Sequence, residues 1–202
     1  MAQTTIDLLR HGEVQGGKYY RGITDDPLTE TGWQQMYQAV SGQTAADIII
    51  SSPLKRCLAF ASVLSEQQKS KLQINAGFEE LDFGAWEGKT ANEITLSDPD
   101  ALMRFYANPN AYPPPGSEKP ADFQQRISSS WNKTIQKHFD KHLLIVTHAG
   151  VIRMLFSLLL GIPLRNTFNV QIAHASMTRF QCFHSETGKH YQMVFHHSQT
   201  RG

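Results

Sequence analysis

Two short runs, Asp47-Ile48-Ile49-Ile50-Ser51 and His142-Leu143-Leu144-Ile145-Val146-Thr147, are apolar at consecutive positions. A strand with one face in water alternates apolar and polar residues, so a strand apolar on both faces must be covered on both. Thr5-Ile6-Asp7-Leu8-Leu9 reads as a third strand of this kind. Helical patterns follow each of them. Thr29 is a good N-cap for a helix carrying Trp33, Met36, Tyr37 and Val40. Ser52-Pro53 opens the next, with Pro53 expected at the first helical position and Leu54, Cys57, Leu58, Ala61 and Leu64 on its apolar side. Residues 151–160 form a third helix. Strands alternating with helices predict an α/β fold, a three-layer α/β/α sandwich around a mostly parallel sheet.

The remaining segments fill in that plan. Residues 72–74 are a short strand, residues 78–88 an acidic, aromatic loop, and residues 98–108 a short helix. Tyr112-Pro113-Pro114-Pro115-Gly116 cannot be helical. Ser117 or Asp122 is expected to cap a long helix carrying Phe123, Ile127, Trp131, Ile135 and Phe139. Residues 177–184 and 190–197 read as a closing hairpin around Ser185-Glu186-Thr187-Gly188-Lys189, which gives the sheet an antiparallel edge.

In open α/β sheets, ligands bind beyond the carboxyl ends of the strands. Three groups leave the sheet at that level: Arg10-His11 after the first strand, Arg56 one turn into the second helix, and His148 after the late strand. Arginines at helix starts suit a tetrahedral oxyanion, because guanidinium donors and free helix N–H groups both match phosphate. Neutral imidazole is also a nucleophile, and its attack on phosphorus gives a phosphohistidine that water can open. That chemistry needs a proton for the leaving alkoxide and a base for the water, which one carboxyl group can supply in turn. Glu79, Glu80 and Asp82 lie together among Phe78, Phe83 and Trp86, and spacing alone does not choose between them.

At 202 residues the chain fits one domain, residues 1–202. Its net charge of +1 gives no general attraction to nucleic acid or to a membrane surface. The longest apolar run, residues 151–162, is interrupted by Arg153 and is too short to span a bilayer. Met1 to Leu9 lacks the pattern of a signal peptide, so a cytoplasmic location is expected. Cys57 and Cys182 are isolated and are expected to be reduced and packed. His190, His196 and His197 have no carboxylate or cysteine at ligand spacing, so no metal is expected.

Taken together, the motifs resemble the histidine phosphatase superfamily, which includes the cofactor-dependent phosphoglycerate mutases. Leu9-Arg10-His11-Gly12-Glu13 is similar to its RHG signature, and Asp26-Pro27-Leu28-Thr29-Glu30-Thr31-Gly32 to its D-x-PLT-x-x-G segment. Ser51-Ser52-Pro53-Leu54-Lys55-Arg56-Cys57 resembles its SSPL-x-RA segment, with Cys57 where alanine is usual. The segment from Glu80 through Leu81, Asp82, Phe83-Gly84 and Trp86-Glu87-Gly88 resembles E-x-x-FG-x-WEG. Pro115-Gly116-Ser117-Glu118 and the run from Val146 to Arg153 match two further segments, so six appear in family order. The resemblance implies a phosphoglycerate mutase-like sheet, His11 as the nucleophile, and Arg10, Arg56 and His148 around the phosphate. It implies Glu80 as the acid, and no metal or other cofactor.

Two positions bordering the phosphate depart from the family: Gly17 stands where asparagine is frequent, and Arg21 precedes Gly22 where Ser or Thr is common. Arg21 is therefore expected to supply a phosphate donor in place of the missing groups, and Gly22 and Ala149 are further candidate substrate-binding residues. The stretch at about residues 89–120 implies a small helical cover, which suits hydrolysis of a small phosphate monoester better than mutase transfer. The loop from Glu13 to Thr29 most resembles bacterial α-ribazole-5′-phosphate phosphatases of cobalamin synthesis. A broad sugar phosphatase, a phosphoglycerate mutase and a non-catalytic phosphate-binding module are the alternatives. Tyr20, Phe105, Tyr106 and Trp86 are either a stacking wall for an aromatic leaving group or part of the core. Oligomeric state is not legible.

Overall fold

The computed structural model describes residues 3–186 and 188–197. Its strands are β1 (Gln3–Arg10), β2 (Ile48–Ser51), β3 (Lys71–Ile74), β4 (His142–Thr147), β5 (Met177–Ser185) and β6 (Gly188–His197). Its α-helices are α1 (Glu30–Val40), α2 (Lys55–Gln68), α3 (Ala91–Ser97), α4 (Ala101–Ala107), α5 (Pro120–Lys137) and α6 (Ala149–Leu160). The strands form one sheet in the order β3-β2-β4-β1-β5-β6. The pairs β1–β4, β2–β4 and β2–β3 are parallel, whereas β5 and β6 add the antiparallel edge. The tip of the hairpin at Thr187 and the side chain of His197 lie outside the described residues.

The consecutive apolar positions are explained by two cores. Ile6, Leu8, Ile50, Leu143 and Ile145 pack on one face with Ile127, Trp131 and Ile135 of α5 and Val151, Ile152 and Leu155 of α6. Leu9, Ile49, Leu144 and Val146 pack on the other with Met36 of α1 and Cys57, Phe60, Ala61 and Leu64 of α2. Each fully buried Leu, Ile or Phe contributes about 1.5–3 kcal/mol of transfer free energy. A Cβ on Gly12 would lie 2.2 Å from the Gly32 carbonyl oxygen, so a glycine is needed where α1 presses on the loop leaving β1.

Several element boundaries differ from the sequence reading. Helix α2 begins at Lys55, not Pro53, because the Ser52 N–H still bonds to the Val146 carbonyl of the sheet (3.0 Å). The turn then occupies Pro53 and Leu54. Helix α5 is capped at Lys119, not at Ser117 or Asp122, with Pro120 in the first turn. The Glu118 N–H is held by the Asp82 carbonyl (3.1 Å), which keeps that stretch out of the helix. Phe139 lies past the end of α5, half exposed against the His184 ring. The helix expected over residues 98–108 is α4, and α3 just before it was not anticipated. Thr90 and Glu93 form the capping box that starts α3. Helix α6 starts at Ala149, two residues before the expected position, and a 3-10 turn over Leu164–Asn169 was not anticipated.

Candidate active site

His11 follows the last residue of β1, and His148 follows the last residue of β4. The two strands are neighbours in parallel register, with Arg10 opposite Thr147, so both histidines leave the sheet side by side. Their ring centroids are 5.3 Å apart. His11 Nδ1 lies 2.8 Å from the Gly12 carbonyl oxygen. A carbonyl only accepts, so Nδ1 carries the proton and Nε2 keeps its lone pair. Burial, with Arg10, His148 and Arg56 nearby, holds the ring well below the ordinary histidine value, so it is neutral.

His148 is arranged the opposite way. The Arg56 Nε–H donates to its Nδ1 at 3.2 Å, so Nδ1 accepts and Nε2 carries the hydrogen. Nε2 then donates to Ser52 Oγ at 2.8 Å. Burial and the adjacent Arg56 and Arg10 keep this ring neutral as well. Arg56 is completely buried as the second residue of α2 and donates to the Thr24 (2.7 Å) and Gly22 (2.6 Å) carbonyls. Two of its five N–H hydrogens have no partner among the described residues.

Arg10, the last residue of β1, donates to the Ile172 carbonyl at 2.6 Å, while its buried Nε has no partner among the described residues. Burial pushes its guanidinium down to about 10, opposed by Glu80, so it stays charged at neutral pH. Of the three carboxylates that the residues alone left open, Glu79, Glu80 and Asp82, Glu80 is the one buried at the site. Glu80 Oε2 accepts from the Gly150 N–H (3.0 Å) in the first turn of α6, and Oε1 accepts from the Leu81 N–H (3.0 Å). A Cβ on Gly150 would lie 2.2 Å from Glu80 Oε1, so a side chain there would displace the carboxylate.

A cavity of about 920 Å³ opens in front of these groups. Arg10, His11, Glu80, Ala149 and Arg153 line it, whereas Arg56 and His148 are fully buried beside His11 and outside the lining. Arg21 also lines it, but its Nε–H goes to Asp26 (2.7 Å) and its Nη2 to the Gln15 carbonyl (2.8 Å). Its guanidinium also stacks 3.9 Å above the Tyr19 ring. Gly22 is not in the lining, and its N–H is taken by Glu87 Oε1 at 2.8 Å. Tyr20, Phe105 and Tyr106 reach the cavity, and the Tyr20 and Tyr106 hydroxyls meet at 2.5 Å. Trp86 does not line it; it packs with Ile94 and Phe105 in the small core of the cover.

Two residues at the site escaped the sequence reading. Glu87 accepts N–H bonds from Gly22, Ile23 and Thr24 and from Phe83, and so fixes the two carbonyls that grip Arg56. Its place in the WEG segment was the available signal. His174 lies on the cavity wall, its ring centroid 5.7 Å from that of His11. It stands alone in an irregular stretch, and only the antiparallel pairing of β5 with β1 brings it there.

A family model described as histidine phosphatase superfamily (branch 1) matches residues 6–192. The chain belongs to that family. Phosphoserine phosphatase 1 of Hydrogenobacter thermophilus is 26% identical over 84% of this chain and 82% of its own length. The adenosylcobalamin/alpha-ribazole phosphatase of Escherichia coli K12 is 26% identical over 77% of this chain and 79% of its own. The solved structure of a mycobacterial glucosyl-3-phosphoglycerate phosphatase superposes with a TM-score of 0.84 at 23% identity, covering 95% of this chain and 97% of that one. That superposition supports the phosphoglycerate mutase-like fold. This histidine phosphatase is a phosphoric monoester hydrolase. Among its described residues no group of three His, Cys, Asp or Glu side chains is placed to hold a metal, and no helix is long and apolar enough to cross a membrane.

Proposed function

We propose that the enzyme hydrolyses its phosphate monoester through a phosphohistidine on His11. One observation carries this reading: a neutral His11 with Nδ1 occupied presents an unbonded Nε2 at a cavity that also holds Glu80. Nε2 attacks phosphorus, the bond from phosphorus to the alcohol oxygen breaks, and the Glu80 carboxyl gives its proton to that oxygen. Water then attacks the phosphohistidine, the N–P bond breaks, and the Glu80 carboxylate takes the water proton. Arg10 stabilises the transferring oxygens from the cavity; Arg56 and His148, buried beside His11, join it only as a phosphoryl oxygen displaces Ser52 from His148 Nε2 and opens the way to their N–H groups. No step calls for a metal, so turnover is expected to persist in excess chelator.

The alcohol we assign is α-ribazole. A cavity of about 920 Å³ has room for a nucleoside-sized group, and Tyr20, Phe83, Phe105, Tyr106 and Phe168 give it the aromatic lining that a benzimidazole needs. Phosphoserine or a glycerate would make little use of that wall. Residues 89–120 act as the cover of a single domain in this reading, and the free, buried Cys57 and Cys182 suit a cytoplasmic protein. The test is kcat/KM for α-ribazole 5′-phosphate, phosphoserine, glucosyl-3-phosphoglycerate and 3-phosphoglycerate, followed by phosphate release. α-Ribazole phosphate should lead by at least about tenfold. A lead by phosphoserine would overturn the substrate, and isomerisation of 3-phosphoglycerate without phosphate release would overturn hydrolysis.

A further inference from the structure

The third imidazole of the site has no part in the chemistry above. His174 lies three residues before β5, so its backbone arrives where β1 ends. That backbone is tied to the catalytic strand at several points. The Ala175 N–H donates to the His11 carbonyl (3.1 Å), and the Arg10 N–H donates to the Ser176 carbonyl (3.0 Å). The Ser176 N–H closes a tight turn on the Ala173 carbonyl (3.1 Å). Within this turn Ala175 has φ +53°, a left-handed conformation that a residue with a β-carbon avoids unless its surroundings impose it. The turn thus spends backbone strain on delivering His174 to the nucleophile.

What it delivers is a polar ring without a protein partner. Neither ring nitrogen of His174 has a hydrogen bond among the described residues. The ring is half-buried on the cavity wall, and its nitrogens are not among the sealed polar atoms, so its N–H is open to whatever fills the cavity. Burial, together with Arg10, Arg21 and Lys18, pushes the ring down to about 3, so it is neutral and has one N–H to give. Arg10 and Lys18 beside an open donor, with Arg21 paired to Asp26, describe a place for an anion. His148 is buried beside His11 and outside the lining, whereas His174 faces the cavity.

We propose that His174 contacts the substrate, donating its N–H to a non-bridging phosphoryl oxygen on the cavity side of His11. This rests on the phosphohistidine reading. The donor is wanted most as charge builds on the transferring group, so it acts on the transition state more than on ground-state binding.

Three variants test it on p-nitrophenyl phosphate: His174→Phe, which keeps a ring against His11 but has no donor; His174→Asn, which restores an N–H; and His174→Ala. Phe and Ala should lower kcat/KM by about 10- to 100-fold and weaken vanadate inhibition by a similar factor. Asn should recover most of both, and thermal midpoints should stay near that of the parent. Wild-type kinetics in the Phe variant, or equal losses in Phe and Asn, would overturn the proposal. A His11→Ala control separates the two readings. If it is inactive, failure of the His174 prediction falls on His174 alone; if it is active, the phosphohistidine itself is wrong.

Discussion

The histidines that end β1 and β4 are the same residue type on adjacent parallel strands, yet their surroundings give them opposite hydrogen-bonding schemes. His11 spends Nδ1 on its neighbour's carbonyl and leaves Nε2 facing the cavity. His148 has both nitrogens engaged, Nδ1 by Arg56 and Nε2 by Ser52, and is sealed from the cavity. Residue type and strand position therefore do not decide which imidazole attacks. One backbone carbonyl and one guanidinium fix where each ring carries its hydrogen, and in the proposed mechanism that difference makes His11 the attacking ring.

The largest break in this comparison comes from removing each ring. His11→Ala should lower kcat/KM for p-nitrophenyl phosphate by at least about 10⁴-fold, because the nucleophile is lost. His148→Ala should lower it by about 10²- to 10³-fold, the loss of one preorganised donor. Equal losses would erase the distinction between attacker and donor.

Protonation is the next test. Both rings are held well below the unfolded value of 6.5, so neither should take up a proton between about pH 5 and about pH 8. Histidine NMR shifts of His11 and His148 should stay flat over that range; an unperturbed ring would be about 30-fold more protonated than neutral at pH 5. The linkage has a definite sign. The unfolded chain binds protons that the folded chain refuses, so the stability due to these rings is complete above 6.5 and is lost as pH falls below it. A His148→Asn variant should flatten that slope, and a titration of either ring near 6.5 would contradict the neutral pair.

Glu87 sharpens the comparison from further away. It holds the loop whose carbonyls orient Arg56, and Arg56 sets the tautomer of His148. Glu87→Gln should lower kcat by about tenfold with little change in the melting midpoint, through a misplaced Arg56. In an Arg56→Lys background the same substitution should add little. Additive losses would assign Glu87 to general folding instead. The smallest effect belongs to Cys57, whose Sγ lies 3.6 Å from His148 Nε2. Cys57→Ala should change kcat/KM by less than about twofold, since its thiol, pushed up by burial to about 12, packs as a small hydrophobe.

The parallel strands were legible because burial on both faces leaves consecutive apolar residues, as in β2 and β4. Thr29 was legible as a cap because its side chain bonds locally, to the Gly32 N–H. Arg10, His11, Arg56, Glu80 and His148 were placed by motif, and the fold gathers them at one end of the sheet. The signals that failed were long-range. The start of α2 depends on a bond from Ser52 to β4, and that of α5 on a bond from Glu118 to Asp82. Arg21 and Gly22 looked like phosphate donors from their position in the chain, but their hydrogens are aimed at Asp26, Gln15 and Glu87. His174 was invisible because only strand pairing brings it beside His11.

The central claim, that His11 and not His148 carries the phosphoryl group, can be read directly. In Glu80→Gln, p-nitrophenolate leaves without needing an acid, while opening of the phosphohistidine is slowed by loss of the base. The phosphoenzyme should accumulate, and alkaline quenching followed by peptide mass spectrometry should locate it. The account predicts an acid-labile phosphoryl group on the peptide containing His11 and none on the peptide containing His148. A phosphoryl group on His148, or turnover with no phosphorylated peptide at any time, would contradict it.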